Sequence, residues 1–479
     1  METSGARSAS GPYSKSTRSS SSFGSLRFRN FRLMASSTLL SGVGYWMGLT
    51  AQSWLVLSLT GSAADVGLTA AFLFLPSLVL GLAGGVLADR YPKRRVLVFG
   101  YVAWSSLSAL LASLTLSHVV QAWHVQLIAA GIGSVNALCW PAQSASLAEM
   151  VDPASLRNAI SINSSGTQLS ALAGPAVGGL LTSSVGPGGA FLVAAVCYAV
   201  PILAMTRIRA EELHTQAPVP SARGQMGAGL RYAASRPDVL LPTILIALYG
   251  MFTGNNSVTL AVFAKSVFDS GSGGYGLLTS TVAIGSLIGA LISARLHRTR
   301  LRTLVMFAAT LSALYMLSSV APTQLVFCAV LLCIGANTLL LQTSTNSTVQ
   351  LAAHGSIRGR IVGIYLLAWS GGIAIGGPLV GNVNQHLGPR AGMLLAGVLP
   401  GVVTLLIALR LAIHLRRSRH SLKQVVTDRV RHSRSINAAE TSTKALQNNG
   451  GAPCVSGASF RMRPKTGARG DRRRCQREA

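Results

Sequence analysis

Twelve runs of roughly 20 predominantly apolar residues divide the chain, and a run of that length is what the ~30 Å hydrocarbon core of a bilayer asks of a helix. In the first half they extend from Phe31 to Leu59, Ala63 to Ala88, Val96 to Leu116, Ala122 to Leu147, Ala159 to Val185 and Ala190 to Thr206. In the second half they extend from Val239 to Val262, Tyr275 to Ala294, Leu304 to Val320, Leu325 to Leu351, Ile361 to Val383 and Ala391 to Leu411. A composition of 49% hydrophobic and only 11% charged residues excludes a string of soluble domains. The expectation is an all-α membrane protein of twelve transmembrane helices.

The chain also carries 41 Lys+Arg against 13 Asp+Glu, a formal charge of +28, which in a soluble protein would point to nucleic acid. Sorting the basic residues by loop removes that reading. The connections leaving even-numbered spans hold sixteen of them, whereas those leaving odd-numbered spans hold only Lys265 and Arg390. An excess of Lys and Arg in short loops marks the cytoplasmic side, so both termini are expected in the cytoplasm. The stretch to Ser25, rich in Ser, Gly and Arg, lacks an apolar core and is followed by a full-length span, so a cleavable signal peptide is not expected. The basic segment 413–479 has no helical or strand periodicity and reads as a disordered tail that could touch anionic lipid head groups. The six cysteines include no C-x-x-C pair and no zinc spacing, so neither metal nor cofactor is expected.

The two halves repeat at a spacing of about 200 residues. Asn136 and Asn337 are 201 apart, as are Arg157 and Arg358. Gly174-Pro175-Ala176-Val177-Gly178 returns as Gly377-Pro378-Leu379-Val380-Gly381, and Gly186-Pro187 returns as Gly388-Pro389. Ala88-Asp89-Arg90 returns as Ser293-Ala294-Arg295, without the acid. Matches in the same order at equivalent places predict two pseudo-symmetric six-helix bundles. The organisation is then a tail over 1–29, a bundle over 30–206, a cytoplasmic linker over 207–238, a second bundle over 239–412 and the basic tail.

The loop Gly84-Gly85-Val86-Leu87-Ala88-Asp89-Arg90-Tyr91-Pro92-Lys93-Arg94-Arg95 resembles the signature loop of the major facilitator superfamily, with Pro92 where the wider family prefers glycine. Over roughly Asn30 to Leu415 the chain is similar to that superfamily's drug-efflux, siderophore- and macrolide-exporter branch. The resemblance implies a secondary active exporter of small amphiphilic compounds in the bacterial inner membrane, working by alternating access and coupled to protons. It implies a conformational switch at Gly84, Gly85, Asp89, Arg90, Lys93, Arg94 and Arg95, in which the acid meets the positive end of span eleven. It also implies an exporter-type helix motif at Gly174, Pro175, Gly178 and Gly179.

In such a fold the cavity lies between the halves, lined largely by spans one, four, seven and ten. The polar and aromatic residues midway along those spans are Tyr45, Trp46, Asn136, Asn255, Asn256 and Asn337, with Gln342 nearer the cytoplasm. An unpaired amide in hydrocarbon is costly, so each must face either the cavity or a neighbouring helix. No carboxylate occupies the centre of any span. That would suit an importer or uniporter of a polar solute as a second reading, and a membrane sensor or scaffold that has lost transport is a third. An enzyme is not expected: the sequence has no Walker G-x-x-x-x-G-K-[ST] and no nucleophile or paired-acid constellation in its loops.

Overall fold

The computed structural model describes residues 24–152, 155–209, 211, 231–296, 301–352 and 358–410, without the side chains of Leu82, Val86, Ala88, Asp89, Arg157, Ala294 and residues 358–360. The N-terminal tail before Gly24, linker residues 210 and 212–230 and the basic tail 413–479 lie outside the described residues. Among those described there is no strand; twelve long helices follow the apolar runs. They are α1 (Arg29–Thr60), α2 (Ala63–Arg90), α3 (Lys93–Leu116), α4 (Ala122–Glu149), α5 (Leu156–Ser184), α6 (Gly186–Thr206) and α7 (Pro237–Val267). Then come α8 (Gly271–Arg295), α9 (Leu301–Ser319), α10 (Gln324–Ala352), α11 (Arg358–His386) and α12 (Pro389–Arg410).

Ten of the twelve contain a stretch long and apolar enough to cross a membrane by length and composition; α1 and α5 fall short. The reason is visible in their sequences. Ser37, Thr38, Ser41, Gly44 and Thr50 are buried within α1, and Ser170 within α5, so these two helices meet other helices along faces where apolar residues would meet lipid. Exposed apolar side chains such as Val79, Phe99, Leu127 and Leu405 are found around the outside, a surface that calls for lipid.

The α2–α3 turn, the α4–α5 connection and the start of the linker lie together at one end, here the basic end, with Arg90, Lys93, Arg94, Arg95, Arg207 and Arg209. The α1–α2, α3–α4 and α5–α6 turns lie at the far end. Within the N-terminal bundle α1 packs on α5 and α6, α2 on α4, and α3 on α6 and α4. The C-terminal bundle repeats the scheme: α7 packs on α11, and α8 and α9 on α10. Between bundles α2 packs on α11 and α5 on α8. The repeated Gly-Pro turns are also structurally equivalent, with Gly186 at φ 78° and Gly388 at φ 84°, a left-handed conformation that glycine adopts without strain.

Regular structure is found ahead of the boundary at Asn30 expected from the sequence. Gly24–Arg27 forms a 3₁₀ turn, because the Ser25 N–H donates to Asn158 Oδ1 at 2.9 Å and its hydroxyl to the Ser155 carbonyl at 3.0 Å. The Asn30 amide donates to the Arg209 carbonyl at 3.1 Å and accepts from its N–H at 3.2 Å, tying the start of α1 to the start of the linker. The linker's last described turn, 231–235, is helical and belongs with the C-terminal bundle, where the Tyr232 hydroxyl donates to the Ala352 carbonyl at 3.3 Å.

Candidate functional site

The bundles close on each other at the far end through glycine. A Cβ on Gly67 of α2 would collide with the backbone of Gly377 on α11, and one on Gly179 of α5 with Gly276 on α8. Trp54 of α1 stacks on Tyr275 of α8, with ring centroids 5.9 Å apart. Two hydrogen bonds also cross there. Lys265 Nζ donates to the Leu57 carbonyl at 2.9 Å, and the Ala63 N–H, the first of α2, donates to Gln385 Oε1 at 2.8 Å. The Ala63 N–H is one of the donors a helix start leaves without a backbone partner, and the Leu57 carbonyl also accepts the capping Gly61 N–H at 3.0 Å.

Toward the basic end the same seam opens. A Cβ on Gly381 would meet the Ala63 carbonyl at 2.6 Å, one on Gly371 would meet Leu78 at 3.1 Å, and one on Gly81 would meet Leu367 only at 3.8 Å. Beyond them Gly85 on α2 and Gly363 on α11 have nothing within 4 Å of the Cβ position. The α2–α11 seam is tight at the far end and parts toward the basic end.

These contacts also fix how the two halves correspond. Gly174 sits against the Val43 carbonyl and Met47 of α1, and Gly372 sits against the Ala247 carbonyl and Met251 of α7. Gly178 and Gly376 repeat the pattern on Met47 and Met251, while Gly179 and Gly377 make the two bundle-to-bundle contacts. The counterpart of Gly174 is therefore Gly372, 198 residues on, and not Gly377. The expected return of the exporter-type motif at Gly377-Pro378 is corrected: that pair lies about one and a half turns further along its helix, against α2 of the other bundle. A smaller correction holds for α4 and α10. Gly133 seats α4 on Leu73 of α2 and Gly335 seats α10 on Val282 of α8, a spacing of 202. Asn136 and Asn337, at 201, thus differ by about 100° around their helices.

The sequence-derived cavity residues separate accordingly. Asn337 is buried and donates to the Phe307 carbonyl of α9 at 2.8 Å, and Asn256 accepts from the Tyr315 hydroxyl of α9 at 2.7 Å. Asn255 is buried at the break in α7, where its amide donates to the Met251 carbonyl at 3.0 Å and the Ile373 carbonyl of α11 at 3.2 Å. The hydrogen bonds these three side chains make all lie inside the C-terminal bundle, and the Asn255 Oδ1 is buried without a hydrogen-bond partner, close to Gly377. Tyr45 packs into the N-terminal core beside Trp104 and Tyr198, and Trp46 has its Cβ against Gly174. Asn136 and Gln342 are half-buried, and among the described residues neither side-chain amide has a hydrogen-bond partner.

Trp140 on α4 was not singled out by the sequence. Three residues before it the Ala137 carbonyl lies under Gly84 of α2, and three residues after it Gln143 donates to Thr38 of α1 at 3.2 Å. Trp140 thus projects between α1 and α2, about 60° from each. It is 51% exposed, yet it lies about 140° around the helix from Leu127, which is 65% exposed on the lipid side. By the spacing of 202, its counterpart is Gln342.

In the expected switch loop, Gly84 lies against the Ala137 carbonyl of α4 and Gly85 faces open space. Lys93 pairs with Glu149 at the end of α4, and Arg94 donates to the Met205 and Thr206 carbonyls at 2.9 and 2.6 Å, capping α6. Arg90 and Arg95 are exposed; the side chain of Asp89 lies outside the described residues. Pro92 needs no glycine in its place, because Tyr91 is extended and Pro92 has φ −55°, the angle its ring favours at the start of α3. Among the described residues no three His, Cys, Asp or Glu side chains gather to hold a metal.

Comparison with known proteins gives the same architecture. The chain is 27% identical over 399 residues to the multidrug efflux pump Tap of Mycobacterium tuberculosis, covering 79% of this chain and 92% of that one. It is 25% identical over 398 residues to the enterobactin exporter EntS of Shigella boydii, covering 79% and 88%. A crystal structure of a POT family transporter with a thioalcohol-conjugated peptide superposes with a TM-score of 0.64 at 14% identity, over 80% of this chain and 96% of that one, which shows the fold. The model of the transmembrane secretion effector family matches residues 20–438. With its paired helical bundles, this chain belongs to that family: it is a multi-pass membrane transporter of the major facilitator superfamily and not an enzyme.

Proposed function

We propose that the protein exports small amphiphilic compounds by alternating access, and that the arrangement described above is its inward-facing state. The observation that carries this reading is the seam that is glycine-tight at the far end and parted at the basic end. Basic loops face the cytoplasm, so the opening faces the cytoplasm, both termini lie there, and α1 and α5 complete twelve crossings. The efflux direction is supported by Tap and EntS, whose names are those of exporters.

Closure at the basic end then falls to the switch loop. Lys93 and Arg94 are held inside the N-terminal bundle, so in the proposed closure the exposed Arg90 and Arg95, with Asp89, meet the basic end of α11 as it swings in. A charge at a helix terminus is worth about 0.3–1 kcal/mol, enough to bias two states a few kcal/mol apart. Protons are the proposed coupling ion, and anionic lipid the surface for the basic tail. In proteoliposomes with an imposed pH gradient, a fluorescent amphiphile is expected to leave the side on which the basic loops lie. Transport that ignores the gradient would favour a uniporter, and movement only in the other direction an importer.

A further inference from the structure

We infer that Trp140 of α4 and Gln342 of α10, equivalent positions in the two bundles, are the opposed walls of the substrate site, and that the site takes an uncharged, oxygen-bearing amphiphile with a planar apolar part. This rests on the transporter reading above and names its substrate class.

Three observations converge on it. Trp140 is large, half-exposed and turned between α1 and α2, the helices that themselves reach the other bundle, while the lipid face of α4 is occupied by Leu127. An exposed indole facing away from lipid is a stacking surface awaiting a partner. Gln342 holds the equivalent place in the C-terminal bundle, on α10 between Val349, which packs against α7 and α11, and Thr343, whose hydroxyl bonds Ser293 of α8 at 2.8 Å. Its amide has no partner among the described residues and can donate to and accept from a ligand. One turn further, Asn346 and Gln350 are paired with each other at 2.9 Å and extend the same neutral polar face toward the opening.

Charge supplies the third observation. The acidic residues of the helices are Asp65 and Asp238 in first turns, Asp89 next to the last residue of α2, and Glu149 at the end of α4, where Lys93 neutralises it. No basic residue lies at the level of Trp140 and Gln342 on either helix. A fixed cation would be desolvated there without an anion to face, and an anion without a cation, whereas a neutral molecule loses only hydrogen bonds that Gln342 and its neighbours replace.

The test uses the full-length protein in nanodiscs with two planar probes, neutral Nile red and permanently cationic ethidium. Nile red is expected to bind saturably and more tightly than ethidium. Trp140→Leu, which keeps apolar bulk but removes the ring, and Gln342→Leu should each weaken Nile red about three- to tenfold, while Leu127→Ala on the opposite face leaves affinity unchanged. If Trp140→Leu does not fold by circular dichroism, energy transfer from tryptophan to bound Nile red replaces it, with Trp140→Phe expected to remove a large share of the transfer. Ethidium as the tighter ligand, no saturable Nile red binding, or unchanged affinity and transfer in these variants overturns the proposal. Binding is measured at equilibrium, so the two readings fail separately. A protein that binds Nile red this way but carries it inward loses only the exporter reading, and one that extrudes ethidium alone loses only this one.

Discussion

Helices α1 and α7 hold equivalent places in the two bundles, 204 residues apart by their contacts with Gly174 and Gly372, yet they are built differently. Helix α1 is continuous for 32 residues. Helix α7 is broken after Thr253, resumes at Asn256 and ends in a π turn over Phe263–Val267. At the level where α1 has Thr50-Ala51-Gln52, α7 has Gly254-Asn255-Asn256. The Met251 carbonyl, which a regular helix would pair with the N–H four residues on, receives the side chain of Asn255 instead. The break is thus sealed by an amide that also reaches α11. The N-terminal bundle is built on a continuous helix, and the C-terminal bundle carries a break near the level at which the bundles touch. Lys265, inside the π turn, bonds α1 across the interface, beside the Trp54–Tyr275 stack.

The largest expected effect comes where the two bundles should behave alike. Gly179→Leu and Gly377→Leu each drive a side chain into the partner bundle's backbone, and both are expected to abolish transport while leaving a folded protein by size-exclusion chromatography. If one abolished it and the other were silent, the equivalence of the two seams would be broken.

Asn255→Ala comes next and separates the bundles. It leaves the Met251 carbonyl at the break unpaired and removes the tie to the Ile373 carbonyl of α11, at a cost of about 1–3 kcal/mol, seen as a lower midpoint in thermal or denaturant unfolding. At the equivalent position in α1, Ala51 is fully buried in a continuous helix, so Ala51→Asn should destabilise rather than create such a break. A smaller effect is expected from Lys265→Ala and Gln385→Ala. Each removes one far-end hydrogen bond worth about 0.5–1.5 kcal/mol, and the outward-open population should rise by about two- to tenfold in single-molecule fluorescence. The smallest effect is confined to the N-terminal bundle. Pro92→Gly, restoring the residue the wider family prefers, should leave transport unchanged and lower stability by about 0.4–1 kcal/mol, because no backbone angle there calls for glycine.

The helices were legible in the sequence because hydrocarbon imposes one length on every crossing, and the Gly-Pro turns because two left-handed glycines need the same residue. The site was half legible. Polarity marked Asn255, Asn256 and Asn337 as needing partners, but the partner is set by which face of the helix they occupy, and a register error of one residue turns that face by about 100°. Asn136 and Asn337 look equivalent at 201 and are not, because the glycines that seat their helices are 202 apart. Trp140 was missed for the opposite reason. An indole within an apolar run carries no polarity signal, and its inward aim appears only once Ala137 and Gln143 are seen to meet α2 and α1.

The account turns on one seam closing as the other opens. Spin labels at Arg95 and Arg302, exposed on α3 and α9 at the basic end, and at His118 and Val320, exposed at the far end, report both seams in one protein by pulsed electron resonance. On adding a transported substrate and a proton gradient, the basic-end distance should shorten as the far-end distance lengthens. Distances that change together in the same direction, or a far end that stays shut while transport proceeds, would contradict it.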